Sequence, residues 1–82
     1  MAKFLIFGKF QPGKDKKVFE AAKKAKPPEG ITVEGLYAVC GRWDAVCIFE
    51  AADENLAREF AYALRSIDGV IDSEAFMLVP PP

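Results

Sequence analysis

The chain has 82 residues, of which 51% are apolar and 12% aromatic, with a formal net charge of −1, no histidine and two cysteines. This length allows one small domain over 1–82, and the composition excludes a disordered chain, a membrane span of roughly 20 apolar residues, and the disulfide framework of a small secreted domain. The N-terminal residues have no signal-peptide pattern, so we expect a cytoplasmic protein with no membrane contact.

The first predicted elements are a strand and a basic helix. Residues 3–10 are rich in β-forming types and predict a strand, and 11–13 (Gln-Pro-Gly) predict a turn. Between 15 and 26, apolar residues recur every three or four positions among lysines, which predicts an amphipathic helix. The prolines at 27–28 end this helix because proline cannot continue it.

Two strands, a second helix and a fourth strand follow. Residues 31–40 and 43–51 predict strands, and Asp53 is placed to cap a helix with this buried stripe: Leu56, Phe60, Leu64 and Ile67. Residues 70–79 predict the last strand, before a proline tail at 80–82 that cannot extend a sheet. The order β-α-β-β-α-β with right-handed crossovers predicts an α+β, ferredoxin-like fold: a four-stranded antiparallel sheet with two helices on one face.

The second and third strands are predicted to form a tight hairpin. Gly41 and Arg42 suit a two-residue turn, which pairs residues whose numbers sum to 83, such as Leu36 and Cys47. In that register Cys40 and Cys47 lie roughly 13 Å apart, too far for a disulfide. We expect both thiols to be reduced, buried and structural.

The hairpin is apolar on both faces, although a sheet with one solvent-facing side should alternate apolar and polar residues. Strict alternation places these residues on one face: Ile31, Val33, Tyr37, Val39, Val46 and Ile48. The opposite face receives these: Leu36, Ala38, Cys40, Trp43, Ala45, Cys47 and Phe49. Two helices cover only one face, and an uncovered apolar patch normally marks an interface. We expect a second copy of the chain to cover it, in a homodimer or a larger ring of dimers.

Residues 41–44 (Gly-Arg-Trp-Asp), the apolar strand that follows, and the later run LRSIDGVIDSEAFMLVP resemble the GYD domain family. That family is named for a Gly-x-Tyr-Asp motif, in which Trp43 here replaces the tyrosine. The same pattern is similar to the ligand-binding domain of Lrp/AsnC transcription regulators. Both groups are dimeric α+β barrels, so the resemblance implies sheets stacked face to face. It implies no particular reaction, because the function of the GYD family is not established.

The candidate ligand-binding residues surround this motif: Tyr37, Arg42, Trp43 and Asp44. Asp44 beside apolar strands needs a hydrogen-bonding or cationic partner. It is either a polar anchor in a pocket next to Tyr37 or, as is more common near turns, an acceptor for backbone N–H groups. Trp43 either stacks on a ligand or packs in the core or an interface, and Arg42 at the hairpin tip is most simply a solvated turn residue.

The lysines of the first helix leave two interpretations open. Residues 1–26 contain eight lysines against two acids, whereas 27–82 contain three arginines against ten acids. Such a helix either meets an anion or nucleic acid or is an ordinary solvated face, and the second is more common. We predict no nucleic-acid partner, because the third strand lacks the basic and aromatic residues of an RNA-recognition motif.

Two function classes follow from these patterns. The first is a non-enzymatic small-molecule-binding or regulatory module that acts as a homo-oligomer and holds a small metabolite in clefts between sheets or subunits. The second is a cofactor-free enzyme of the dimeric α+β barrel type, with a pocket near Tyr37 and Asp44 in which Asp44, Tyr37 or Glu50 would act. The absence of histidine favours the first class, for which we predict no catalytic residues, no metal and no cofactor. Glu34 and Glu50 fall on opposite faces by strand parity, so we expect no carboxylate pair there. A structural protein whose basic helix contacts a partner is a third alternative.

Overall fold

The computed structural model describes residues 2–82. Six elements follow in the order β1 (Ala2–Phe10), α1 (Asp15–Lys24), β2 (Ile31–Ala38), β3 (Ala45–Ala51), α2 (Glu54–Arg65) and β4 (Val70–Leu78). The strands pair antiparallel in the order β2-β3-β1-β4, and both helices pack on the same face of the sheet. The predicted ferredoxin-like fold is confirmed. Within 2–82, no helix has the length and apolarity needed to cross a bilayer.

The main core lies between α2 and the central strands. Along β3, every second residue is buried and the residues between them are half-buried. The Phe49 side chain is 1% exposed, and its ring centroid lies 5.5 Å from that of Phe4 and 4.9 Å from that of Phe60 in α2. Aromatic pairs at such distances stabilise a core beyond simple area burial. Phe49 is therefore the centre of the face that the helices cover.

Both helices begin where the sequence predicts. The Asp53 carboxylate accepts a hydrogen bond from the Leu56 N–H at 2.9 Å, which confirms it as the cap of α2. Helix α1 ends at Lys24, two residues earlier than predicted, because Ala25 already has extended backbone ahead of the prolines. Its buried residue, Val18, packs in a second apolar cluster with Phe10 of β1.

A β-bulge in β2 changes which residues share a face. Val33 pairs with Phe49 whereas Gly35 pairs with Ile48, so Glu34 is an extra residue on β2. Because one inserted residue reverses the alternation, strict parity is wrong for the residues before the bulge. Those residues lie on the helix-covered face, not with Tyr37: Ile31 and Val33.

The same bulge corrects the placement of Glu34 and Glu50. The Glu34 carboxylate forms an ion pair with Lys3 Nζ at 3.3 Å, and Lys3 pairs with Glu50 across β1 and β3. Both glutamates therefore lie on the same face, contrary to the parity argument. Lys3 lies beside both of them, so the cluster is a partly exposed charged group at the end of the sheet, of the kind that contributes at most about 1 kcal/mol.

The face opposite the helices is covered by no other element within residues 2–82, and we call it the open face. It carries seven apolar or aromatic side chains from all four strands: Leu5, Phe7, Tyr37, Val46, Ile48, Phe76 and Leu78. Tyr37 is 56% exposed, Phe76 43% and Leu78 42%. This face is an exposed apolar surface of the kind that partners cover.

Candidate functional site

The β2–β3 loop is longer than the predicted two-residue turn. It spans 39–44, and its first and last residues are joined by a hydrogen bond from the Val39 N–H to the Asp44 carbonyl at 3.1 Å. The predicted register is confirmed next to the loop, where Leu36 pairs with Cys47 and Ala38 with Ala45, and it is wrong by one residue for 31–33, beyond the bulge. The prediction that both thiols are buried is wrong for Cys40, which is exposed in this loop.

Asp44 connects the loop to the end of β1. Its Oδ2 accepts a hydrogen bond from the Phe10 N–H at 2.7 Å, and its own N–H donates to the Gly8 carbonyl at 2.9 Å. The last β1–β3 pair is Gly8 with Ala45, so the carboxylate takes the place of a β3 partner for the Phe10 N–H. Lys9 Nζ adds a bond to the Arg42 carbonyl at 3.2 Å. The Asp44 carboxylate therefore accepts a backbone hydrogen bond. The donor lies on β1 and not in the turn to which Asp44 belongs.

Trp43 lies on the open face and not, as parity predicts, with Cys47 and Phe49. Its ring stacks on Phe7 with centroids 6.1 Å apart, and Phe7 in turn contacts Phe76 edge-on at 6.0 Å. The prediction fails because β2 ends at Ala38, so the residues of the long loop no longer alternate. Trp43 thereby extends the open face beyond the ends of the strands.

Tyr37 lies on the open face with its ring packed over Gly35. A Cβ added to Gly35 would lie 2.5 Å from the Tyr37 ring, so only glycine leaves room for this orientation. Tyr37, Val46 and Phe7 form one row across three neighbouring strands. Arg42 stays exposed at the loop tip. The structure thus brings Tyr37 and Trp43 onto one surface, while the Asp44 carboxylate turns to β1.

Two cavities lie on the helix side of the sheet. The smaller, of about 50 Å³, lies in the apolar space between the two helices and the sheet. The larger, which we call the α2–β4 cleft, measures about 380 Å³ and has Arg58, Tyr62 and Arg65 along α2. Sequence reasoning missed this cleft because its residues come from elements far apart in the chain. The available signal was the spacing of these three residues along one side of a helix.

The cysteines differ in environment. Burial raises the pKa of the Cys47 thiol from 9.0 to about 11, because the thiolate is poorly solvated in the core. Such a thiol stays protonated and unreactive at neutral pH. Among residues 2–82, no group of three or more potential ligands is arranged to hold a metal ion.

No family model matches this chain, and no curated protein matches it. Solved structures do share its fold. The crystal structure of TTHA0845 from Thermus thermophilus matches with a TM-score of 0.82 at 17% identity, covering 100% of this chain and 98% of that one. The two chains are therefore nearly the same length and have the same architecture.

Transcription regulators also contain this fold. The regulator NMB0573 of Neisseria meningitidis, solved as a complex with L-methionine, matches with a TM-score of 0.77 at 20% identity over 96% of this chain and 50% of its own. AsnC of Escherichia coli matches with a TM-score of 0.81 at 10% identity, over 99% and 52%. This chain spans about half the length of these regulators. At these identities the likeness shows a common fold.

Proposed function

We propose that this chain is a non-enzymatic module that binds a small molecule in a regulatory role and acts as a homo-oligomer. The observation that carries the proposal is the open face, an apolar surface on a chain whose other sheet face is already packed against the helices. The fold likeness to regulators, one of them solved with L-methionine, supports a binding role. The resemblance to the GYD family agrees with this fold and assigns no reaction.

Self-association through the open face fits the arrangement of its residues. Leu5 pairs with Ile48 on one side and Phe76 on the other, which makes an apolar row across three strands. Charged residues stand at both ends, where Lys3 faces Glu50 and Lys9 faces Asp72. An apolar centre with a charged rim is typical of a protein interface. Because the rim carries both lysines and acids, a two-fold axis allows the lysines of one copy to pair with the acids of the other.

The enzyme alternative requires convergent polar groups in a pocket near Tyr37 and Asp44. The Asp44 carboxylate already accepts the Phe10 N–H, and the Tyr37 side chain lies largely in solvent. Neither observation supplies an activated acid or base, so we favour the binding module.

Native mass spectrometry of gently purified protein tests this proposal, because it reads subunit number and retained small molecules together. We expect a dimer or a larger even assembly at micromolar concentration, with a reproducible additional mass. A wild-type chain that stays monomeric and carries no other molecule would contradict the proposal.

The variant Leu5→Arg sharpens the test. It places a charge in the middle of the open face, where an uncompensated buried charge costs roughly 3–5 kcal/mol, so self-association should weaken by about 100-fold or more. The matched control is Ala63→Arg on the exposed side of α2, which should assemble like the wild type. Circular dichroism of both variants verifies that the monomer is folded.

A further inference from the structure

The α2–β4 cleft combines positive charge with an apolar floor. Arg58, Tyr62 and Arg65 follow one another at spacings of four and three residues, so they lie along one side of α2, and all three line the cleft. Its volume of about 380 Å³ falls in the range of ligand pockets. The strands supply its apolar lining: Phe4, Ile6, Phe49, Ala75, Phe76 and Met77.

The cleft is most positive at its Arg65 end. The ion pairs within residues 2–82 are Lys3 with Glu34 and Lys17 with Asp68, and neither involves the arginines of the cleft. Glu54 stands one turn before Arg58 and also lines the cleft, so it offsets the charge at that end.

No acidic residue that lines the cleft offsets the charge of Arg65 in this way. The residues one turn before it are Ala61 and Tyr62, which are uncharged. The two acids of β4 belong to the opposite face of the sheet, because Glu74 pairs with Phe7 and Asp72 with Lys9. The guanidinium of Arg65 is therefore available to an anion from outside the chain.

The Arg65 end also adjoins the apolar cavity between the helices. Ile6, Arg65 and Ser73 line both spaces, so the two adjoin at these residues. The cavity measures about 50 Å³, smaller than the ~150 Å³ of an apolar cavity that accepts benzene. A positively charged end of the cleft next to a narrow apolar cavity suits a molecule that has an anionic group and a short apolar chain.

We propose that the α2–β4 cleft binds a small organic carboxylate that carries a short apolar group. The carboxylate lies on the Arg65 guanidinium beside Ser73, because arginine pairs with carboxylates through two parallel charge-assisted hydrogen bonds. The apolar group packs on Ile6 and Met77. This inference rests on the proposed binding function and gives it a location and a ligand class. Pairing through the open face leaves most of the cleft accessible, since Phe76 alone among the cleft residues belongs to that face.

The test is a titration of the full ¹⁵N-labelled chain with sodium hexanoate, followed by the backbone amide resonances. The uncharged match is 1-hexanol, which has the same chain length without the carboxylate. We expect saturable shifts confined to amides of the cleft, with hexanoate binding about tenfold or more tighter than hexanol.

Two variants complete the test. Arg65→Gln should weaken hexanoate binding by about tenfold or more, whereas Lys16→Gln removes one positive charge from α1 and should leave it unchanged. Arg58→Gln should have a smaller effect than Arg65→Gln, because Glu54 already offsets Arg58. The spectrum of each variant reports directly whether it is folded.

Two results would overturn the cleft assignment. One is saturable binding that maps to the open face or survives Arg65→Gln, which leaves the proposed binding function intact and moves its site. The other is the absence of any saturable shift with hexanoate, which removes the carboxylate class. In that case the retained mass in native mass spectrometry decides the binding function separately.

Discussion

The two faces of the sheet are made by the same four strands and similar apolar residues, yet only one of them is covered within the chain. On the helix side, Phe4, Ile6 and Phe49 are at most 8% exposed. On the open face, Phe76 and Leu78 are more than 40% exposed. Apolar residues at alternate positions therefore do not define a core by themselves. The helices cover one face, and the apolar area of the other stays exposed in the single chain.

The difference has an energetic meaning. Burial contributes roughly 25 cal/mol for each Å² of apolar surface removed from water, so the covered face stabilises the monomer. The open face contributes that free energy only when a partner covers it, less the costs of association. Substitutions on the two faces should thus affect different measurements.

The largest expected effect is that of Phe49→Ala in the covered face. The ring is 1% exposed and packs between Phe4 and Phe60, so its loss should lower the free energy of unfolding by about 3–5 kcal/mol. Its neighbour Ile48 lies on the open face, half-buried. Ile48→Ala should cost the monomer less than about 2 kcal/mol and weaken self-association instead. Urea unfolding at a concentration that keeps the chain monomeric compares the two, and equal losses would contradict the distinction between the faces.

A smaller effect is expected from Asp44→Ala, which releases the loop joining β2 to β3. The Phe10 N–H would lose its acceptor, at a cost of about 1–3 kcal/mol in the free energy of unfolding. Trp43 belongs to the same loop and stacks on Phe7 of β1. When the loop is released, the fluorescence emission of Trp43 should therefore shift.

The control for this substitution is Asp53→Ala. It removes the α2 cap at a cost of about 1 kcal/mol but should leave the Trp43 emission unchanged. An Asp44→Ala variant with wild-type emission would show that the carboxylate does not hold the loop in place.

The smallest effects concern the two cysteines, one in each kind of environment. A thiol reagent at pH 8 should label Cys40 quickly and Cys47 only when the chain unfolds, since Cys47 is buried. Cys40→Ser should remove the fast reaction. Fast labelling of two thiols in the folded protein would mean that the covered face opens readily.

The raised pKa of Cys47 adds a pH dependence. From its ordinary value of 9.0 up to about 11, the unfolded chain loses this proton while the folded chain keeps it. Stability from this group is complete below pH 9 and decreases as pH rises toward 11. Cys47→Ala should show a shallower decrease in stability over that interval, measured by urea unfolding at each pH.

The candidate site was only partly predictable. Tyr37 and Trp43 were candidates because they lie in or near the motif, and the structure brings both onto the open face, but the face of Trp43 depends on where β2 ends. The α2–β4 cleft was not predicted, because Arg65 and Ser73 come together only when α2 packs beside β4. Hydrophobic periodicity identifies which side of a helix is buried, and it does not report where that side leaves a gap.

The sequence by itself determined the order of the elements, the cap at Asp53 and the hairpin register next to the loop, because each depends on residues that are neighbours along the chain. Only the tertiary structure decided the face reversal at Glu34 and the bond of Asp44 to Phe10, which lies 34 residues away. It also decided the charged end of the α2–β4 cleft at Arg65. These contacts depend on how distant elements pack, and no local pattern of residues specifies that packing.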